Sequence, residues 1–420
     1  MREIAPEGLN LGEFVRPGDT VFWGHGTSEP LTLTETLLAH RHAIGAFKAV
    51  VGVTYSQTLQ PEHADRVTFV SYGALGGLQA LSSAGALDVM PCHLSSWPDL
   101  IEAGRLVPDV VLMQLSPANA EGLHSPGLSH DYLAVAARHA RTVIAEINAE
   151  VPWTHCDQAF EGLRIDAVVR TSRPLLSVPA PSPSPVELQI AQRVAELIPD
   201  RAVLQTGIGA LPSAILSALI HHRDLGLHSG LAGDAVVDLI EAGALTNAHK
   251  SIDRGVSICG LLAGTQRLYQ HAHNNPALAL RPLRYTHAAD VLARVDSLHA
   301  LNSALEVDLS GQVNAEVVGS RYVGAVGGQV DFVRGAQRSR GGRAITALPS
   351  TASQGRISRI VAHLPAGVVT TARSDADIFV TEWGVADLRG QTLKERARRM
   401  MAIAHPDHRE SLSRAARLLN

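Results

Sequence analysis

The spacing of apolar residues divides the first half of the chain into short strand-like runs separated by longer segments with helical period. The runs are rich in β-branched and aromatic residues, which favour strands. They are DTVFWG (19–24), KAVVGVTYS (48–56), RVTFVSY (66–72), DVVLMQLS (109–116) and RTVIAEI (141–147). The segment SHDYLAVAARHA (129–140) has helical spacing. This alternation is typical of a parallel sheet covered by helices.

The same alternation returns after a proline-rich segment. Prolines at 179, 181, 183 and 185 alternate with small residues, which predicts an extended linker at about 177–185. Ser184 as N-cap, Pro185 in the first turn and Glu187 as capping-box acid predict that a helix begins there. The predicted strands that follow are RAVLQTGIG (201–209), VSICGLLAG (256–264), RAITALPS (343–350), AGVVTTA (366–372) and DIFVTEWG (377–384). We therefore predict two tandem open α/β domains, 1–183 and 184–420, facing each other across a cleft.

Two segments depart from this alternation. Residues 302–336 combine period-2 patterning with many glycines, which predicts hairpins or an irregular sheet rather than βα units. Residues 393–419 have the spacing of two helices broken by His405 and Pro406, with charged residues on their solvated faces. We assign the C-terminal helices to packing.

Composition narrows the class of protein. The chain has 36 basic and 40 acidic residues and a formal net charge of −4, so its charge gives no reason to expect nucleic acid as a partner. The three cysteines are scattered and odd in number, which argues against a disulfide framework or a zinc site and favours a reducing cytoplasm. The N-terminal segment lacks a secretory pattern, and no apolar run approaches the roughly 20 residues of a membrane span.

A glycine turn in LQTGIGALPSAIL (204–216) is the first candidate for chemistry. An apolar strand is followed by Gly207 and Gly209 and by a helix with Pro212 in its first turn. Such turns bring backbone N–H groups and a helix N-terminus close to an anion or a developing oxyanion. The alternative is an ordinary tight βα turn, because the third glycine of a dinucleotide motif and the P-loop lysine are both missing.

The segment FWGHGTSEP (22–30) has the same layout near the N-terminus, and it adds His25 and Glu29. The carboxyl end of a strand in an open α/β sheet is where ligands bind, so both side chains are candidates for a site. Taken alone, either residue fits a surface or capping role somewhat better than catalysis. Together with the matching turn in the second domain, they favour a site between the two domains.

A third glycine-rich turn lies in VGAVGGQVDFVRGAQRSRGGR (323–343). Its glycines permit close approach of a ligand, and its arginines could meet phosphates, although a hairpin followed by a solvated charge run explains the same pattern. The histidine pairs at 221–222 and at 271 and 273 suggest metal ligands, but no third ligand is evident in the sequence. We therefore predict no metal site.

The chain resembles the acetyl-CoA hydrolase/transferase family of class I CoA-transferases, nearest to its 4-hydroxybutyrate and butyrate:acetate CoA-transferase branch. The resemblance runs through nearly the whole chain. The matching segments are GHGTSEP, DVVLMQLSPANAEGLHSPG, VIAEINAEVP, LQTGIGALPSAIL, DLIEAGALTNAHK, NSALEVDLSGQVNAE, GGQVDFVRGA, GVVTTARSDADIFVTEWGVADLRG and ERARRMMAIAHPDHRE. The resemblance implies two α/β domains of the CoA-transferase type with the active site in the cleft between them.

The resemblance also implies a covalent mechanism that this chain lacks the residue to perform. In the family, a glutamate attacks the thioester and later carries CoA as a glutamyl thioester. That glutamate lies in a segment resembling G-[IV]-H-T-E, which corresponds here to Gly226, Leu227, His228, Ser229 and Gly230. The glutamate position therefore holds Gly230.

The resemblance assigns further positions to the same site. His25 and Gln205 correspond to polar residues of the cleft. The CoA-binding positions are Gly207, Ile208, Gly209 and Ala210 in one turn and Gly327, Gly328 and Gln329 in the other.

Four functions follow from a family site without its nucleophile. The first is an acyl-CoA transferase in which the acceptor attacks the thioester directly or Glu29 acts as a substitute carboxylate. The second is a thioesterase with His25 as general base. The third is acyl transfer to an amine or other acceptor, and the fourth is a CoA-binding protein without catalysis. We expect coenzyme A as substrate, no tightly bound cofactor, and a cytoplasmic protein that forms a homodimer.

Overall fold

The computed structural model describes residues 2–365 and 367–416. Its contacts divide the chain into two compact units. Unit 1 contains residues 1–179 and 258–286, and unit 2 contains residues 180–257 and 287–420. We predicted from the sequence that the second domain contains residues 184–420, whereas the segment 258–286 belongs to unit 1 in the structure.

Hydrogen bonds explain why the segment 258–286 belongs to unit 1. The amide of His130 donates to the carbonyl of Gly260 over 2.9 Å. The hydroxyl of Tyr269 donates to the carbonyl of Leu176 over 2.7 Å. A local sequence pattern cannot predict such hydrogen bonds, because the paired residues lie far apart in sequence.

Unit 1 is built on a parallel sheet of eight strands in the order β1-β8-β7-β6-β2-β3-β4-β5, counted over the described residues. Its central strand β6 is buried at every position, as expected for a strand covered on both faces. The strands β1 to β8 are Arg2–Ile4, Thr20–Trp23, Phe47–Val50, Val67–Ser71, Leu87–Val89, Val110–Leu115, Thr142–Asn148 and Ala167–Thr171. The helices are Leu31–Ala39, Arg41–Ile44, Leu78–Ser83, Trp97–Glu102, Leu133–His139, Gln266–Ala272 and Leu283–Thr286.

Unit 2 is built on a sheet of six strands in the order β10-β9-β11-β12-β13-β14, again counted over the described residues. All neighbours are parallel except β13 and β14. The strands β9 to β14 are Val203–Gln205, Gly226–Leu227, Leu298–Ser303, Arg343–Ala347, Ile378–Thr381 and Gly384–Asp387. The helices are Pro185–Ala195, Ala210–Ala218, Asp234–Glu241, Ala289–Leu292, Gln329–Arg338, Leu393–Ala402 and Pro406–Ala416.

Short strands lie outside the two main sheets. They are Leu231–Ala232, Ser257–Cys259, Leu261–Leu262, Leu278–Leu280, Glu306–Asp308, Val313–Asn314, Val317–Val318, Arg321–Tyr322, Thr351–Ala352, Ile357–Ser358 and Ile360–Val361. The predicted α/β class is confirmed, and so are the capping box at Ser184 and the break between the two C-terminal helices. The predicted hairpins also form, since Glu306–Asp308 pairs antiparallel with Val313–Asn314.

Two sequence predictions of local structure are wrong. Residues 367–372 do not form a strand, because the amides of Thr370 and Thr371 both donate to one carbonyl, that of Val313, which makes a single bridge instead of a ladder. Residue 366 of that predicted strand lies outside the described residues. The end of the glycine-rich segment is the helix Gln329–Arg338, whose buried residues Val330, Val333 and Ala336 recur every three positions.

Candidate active site

The first glycine turn follows strand β9 in unit 2. Gly209 has φ +116°, a conformation that glycine adopts without strain, and the helix Ala210–Ala218 begins directly after it. A Cβ built on Gly207 or Gly209 would meet no atom closer than Pro212, at 3.8 and 3.9 Å. Residues 207–210 are partly exposed. The turn therefore offers backbone N–H groups and free space to a ligand.

The second glycine turn precedes the helix Gln329–Arg338, also in unit 2. Gly327 has φ +53°, and nothing lies within 4 Å of a Cβ built there. Gln329 is positioned by its amide nitrogen, which donates to the hydroxyl of Thr371 over 3.3 Å. Like the first turn, this one combines a helix N-terminus with open space beside a glycine.

The segment His228–Gly230 follows strand β10, next to the first turn. His228 and Ser229 are buried, and the amide of His228 continues the sheet by donating to Leu204. The Ser229 hydroxyl accepts from the amide of Thr206 over 3.2 Å and donates to the carbonyl of Thr206 over 3.1 Å. Ser229 therefore fixes Gly230 relative to the first glycine turn.

The imidazole of His287 lies against Gly230. A Cβ built on Gly230 would come within 3.0 Å of both Cε1 and Nε2 of this ring and 3.5 Å from Phe332. A Cβ built on Gly328 would overlap the same Nε2 atom. The ring is 3% exposed, and its centroid lies 4.7 Å from that of Phe332. Two glycines thus leave the space that His287 fills.

These contacts connect three segments of unit 2 that are distant in sequence. Ser229 connects the first glycine turn to Gly230, and His287 connects Gly230 to Gly328 in the second turn. Gln205 lies at the end of β9 with its side-chain oxygen accepting from Asn302 over 3.2 Å. Gln205, Ser229 and Asn302 lie at the carboxyl ends of neighbouring parallel strands, which is the usual place for ligands in open α/β sheets.

His287 is the residue of this arrangement that sequence reasoning missed. It stands after the short helix Leu283–Thr286, in no recognisable motif, and its neighbours come from segments ending at 230 and beginning at 328. A possible signal was the presence of this histidine in a chain that the resemblance predicts to have glycine at the glutamate position. That coincidence has no meaning until the fold brings the two together.

In unit 1, His25 is held by a buried acid. Its Nε2 hydrogen-bonds with the Asp131 carboxylate, to which the Ser129 hydroxyl also donates. All three side chains are buried, and the second ring nitrogen of His25 has no hydrogen-bond partner among the described residues. A Cβ at Gly52 would overlap that nitrogen, so glycine is required beside it. The fixed orientation of the ring is consistent with either a structural or a chemical role.

Glu29 is not positioned as a free carboxylate. It is 1% exposed and accepts hydrogen bonds from the hydroxyls of Thr34, Thr54 and Ser56 over 3.0, 2.7 and 2.7 Å. Burial raises the pKa of the Glu29 carboxyl, and the hydroxyl donors oppose that rise. This environment favours a structural role over the substitute nucleophile that we considered from the sequence.

The arginines after the second glycine turn are engaged at the protein surface. Arg334 pairs with Asp375 over 2.9 Å, and Arg340 pairs with Asp296. Both arginine side chains are at least half exposed, so these pairs favour the solvated charge run over a phosphate site.

The described residues contain neither a metal-binding cluster nor a helix that could span a membrane. Across residues 2–365 and 367–416, no group of three or more histidine, cysteine or acidic side chains has the arrangement of a metal site. In the same part of the chain, no helix is both long and apolar enough to cross a bilayer.

Comparison with known proteins identifies the family. The N-terminal domain model of acetyl-CoA hydrolase/transferase matches residues 7–178, and the C-terminal domain model matches residues 264–416. A 4-hydroxybutyrate coenzyme A transferase of Clostridium kluyveri is 38% identical over 93% of this chain and 92% of its own length. A butyryl-CoA:acetate CoA-transferase of Anaerostipes caccae is 32% identical over 96% of this chain and 93% of its own.

A solved structure shows the same fold. RipA from Yersinia pestis superposes with a TM-score of 0.93 at 33% identity, covering 100% of this chain and 97% of that one. The match extends over both units described above. The chain therefore belongs to the acetyl-CoA hydrolase/transferase family.

Proposed function

We propose that the protein is an enzyme that binds a small acyl-CoA at the two glycine turns of unit 2 and catalyses acyl or CoA transfer without a glutamyl-CoA intermediate at position 230. The observation that carries this proposal is the continuous set of contacts from Thr206 through Ser229, Gly230 and His287 to Gly328. These contacts keep both turns in place around a position that has no carboxylate. The acceptor, or water, then attacks the thioester directly.

The relatives support the substrate class. Their names describe transferases that act on 4-hydroxybutyrate and on butyryl-CoA with acetate, which are small acids and their thioesters. Gly207 and Gly209 leave room for backbone N–H groups to approach an anion or a thioester oxygen. Acyl-CoA is therefore the substrate we propose for this chain, with CoA bound only during turnover.

The experiment measures binding and products together. The protein is titrated with acetyl-, butyryl- and 4-hydroxybutyryl-CoA by calorimetry, and each mixture, with and without acetate, is followed by mass spectrometry. Gly207→Val should weaken acyl-CoA binding by about tenfold or more, because the added side chain enters the open space of the turn, and tenfold corresponds to about 1.4 kcal/mol.

The matched control is Gly8→Val. Gly8 has nothing within 4 Å of a built Cβ and lies outside the turn, so the added side chain is accommodated there as well. It should bind acyl-CoA like the natural protein. If the folded natural protein binds none of the thioesters, the proposed function is wrong.

The oligomeric state of the protein and its content of bound CoA can be measured on the same preparation. We propose a cytoplasmic homodimer that is purified without bound CoA. Light scattering gives the oligomeric state, and extraction with acid followed by mass spectrometry detects any retained nucleotide. A monomer, or CoA at one equivalent per chain, would contradict the corresponding part of this proposal.

A further inference from the structure

We propose that His287 is the general base of this enzyme, and that the attacking acceptor is therefore a nucleophile carrying a proton, with water as the simplest case, instead of a carboxylate. This inference rests on the proposed function, because it assumes that an acyl-CoA binds beside Gly230. It also changes the identity of the base from His25, which we considered from the sequence, to a residue in contact with position 230.

The ring of His287 lies beside position 230. The atoms of His287 nearest to Gly230 are Cε1 and Nε2, so the ring presents its nitrogen-bearing edge to position 230. The same Nε2 is the nearest atom to Gly328, which belongs to the second glycine turn. One basic nitrogen is thus adjacent both to the position of the family glutamate and to a turn proposed to bind CoA.

Positions 230 and 328 must both be glycine for the His287 ring to fit. Any side chain at Gly328 would overlap Nε2, and one at Gly230 would begin within 3.0 Å of it. Neither glycine has the positive φ that would by itself explain the residue choice. The space occupied by His287 is therefore a reason for glycine at both positions.

The ring of His287 is protected from solvent. His287 is 3% exposed and packs against Phe332, whereas Gly230 and Gly328 are partly exposed. A ligand can reach this region past the glycines, while bulk water has little access to the imidazole. A site that excludes bulk water limits the loss of protons and of reactive intermediates.

The choice of acceptor follows from the chemistry of imidazole. Neutral imidazole takes up a proton near physiological pH, which makes histidine the commonest general base in enzymes. A carboxylate acceptor carries no proton at neutral pH and gains nothing from such a base. Water, an alcohol or an amine must lose a proton as it attacks, so the base is useful only for these acceptors.

Nε2 of His287 takes a proton from water while the water oxygen forms a bond to the thioester carbonyl carbon. The tetrahedral intermediate collapses with cleavage of the carbon–sulfur bond, and CoA leaves as the thiolate. The imidazolium then returns its proton to the thiolate sulfur, which gives a free acid, free CoA and neutral His287.

The test compares His287→Phe, which keeps a ring without a base, with His287→Gly. Both variants should bind acyl-CoA within about threefold of the natural protein, and turnover should fall by about 100-fold or more, the usual contribution of a general base. Added imidazole should restore at least a tenth of the natural rate in His287→Gly but not in His287→Phe, whose ring blocks the space. A merely structural role would not produce this difference.

The control is His221→Phe, which changes an exposed histidine of the same unit and should leave turnover unchanged. With ¹⁸O-labelled water as acceptor, the acid product should carry one labelled oxygen per turnover.

If His287→Phe binds and turns over acyl-CoA within threefold of the natural rate, the inference fails while the proposed function stands. If the natural protein binds no acyl-CoA, the proposed function fails first. Where His287→Phe does not fold, His287→Gln replaces it in the same comparison.

Discussion

At the scale of single residues, position 230 shows why an absent side chain has to be interpreted together with its neighbours. The family resemblance predicts that a carboxylate is missing at this position, and that prediction alone suggests an empty space. In the structure the edge of an imidazole lies within 3.0 Å of where a Cβ would be. A glutamate restored at this position would therefore meet His287 before it met any substrate.

The first prediction concerns that restoration. Gly230→Glu alone should gain little CoA-transfer activity, because its side chain and His287 compete for one space. Gly230→Glu combined with His287→Ala should have room for the carboxylate and should form a glutamyl-CoA thioester, detected by borohydride reduction and peptide mapping. Equal transfer by the single and double variants would show that the imidazole does not obstruct position 230.

Glu29 provides the second prediction. Glu29→Gln should preserve turnover, because the carboxylate is buried under three hydroxyl groups, whereas a nucleophilic Glu29 would lose nearly all activity on this change. Glu29→Ala should lower the free energy of unfolding by about 2–4 kcal/mol, since it removes a buried acceptor and leaves a cavity. Steady-state kinetics and thermal unfolding of the two variants separate these roles.

The third prediction concerns the pH dependence of stability at the same residue. Because burial raises the pKa of Glu29, the folded protein holds this proton more tightly than the unfolded chain does. Its contribution to stability is therefore largest in acid and is lost as pH rises through the raised pKa. Glu29→Gln lacks this titration, so its stability relative to the natural protein should improve from pH 4.5 upward, as thermal unfolding at a series of pH values will show.

At the scale of elements, the sequence predicts regular βα units well and irregular pairings poorly. The strand that ends at Gln205 and the helix after Gly209 follow from a buried apolar run and a glycine turn, which are local signals. Residues 367–372 have the same apolar character but make only one bridge, because their partner is a short irregular strand. The sequence did not predict the helix Gln329–Arg338, because the period-2 pattern of the preceding residues was assumed to continue into it.

The fourth prediction tests one such local signal. The Ser184 hydroxyl accepts from the amide of Glu187, and the Glu187 carboxylate accepts from the amide of Ser184. Ser184→Ala should lower the free energy of local unfolding of the helix by about 1 kcal/mol. Amide exchange in its first turns should therefore accelerate by about fivefold. Ser182→Ala, in the same exposed proline-rich segment, should leave these exchange rates unchanged. Equal rates in both variants would mean that the cap does not limit local opening.

At the scale of the whole molecule, the sequence predicts most of the parts of the candidate site but not their combination. Both glycine turns were identified from their residue spacing and Gly230 from the family resemblance, and the structure connects them within unit 2. His287 could not be identified in this way, since its importance depends on contacts with residues far away in sequence. The division into units could not be predicted either, because the segment 258–286 belongs to unit 1 through its contacts and not through its composition.

The fifth prediction follows from that division. A fragment of residues 1–183 contains the whole eight-stranded sheet but lacks the segment 258–286, so it should expose apolar surface and unfold at a lower temperature than the full chain. Binding of a hydrophobic dye and thermal unfolding measure both effects. A peptide of residues 258–286, added in trans, should reduce dye binding, whereas a scrambled peptide should not. A fragment as stable as the full chain would contradict this expectation.

The discontinuous course of unit 1 also has a consequence for protein synthesis. The ribosome completes all eight strands of the first sheet before it makes the segment 258–286, and it makes the beginning of unit 2 in the meantime. The late segment supplies buried apolar residues, which include Leu261, Leu262, Leu268, Leu278, Leu280 and Leu283. Until they emerge, the nascent unit 1 lacks part of its buried apolar residues, and incompletely packed apolar surface attracts chaperones. A chain stalled before residue 258 should therefore retain more chaperone than one stalled well beyond residue 286, although the second chain is longer.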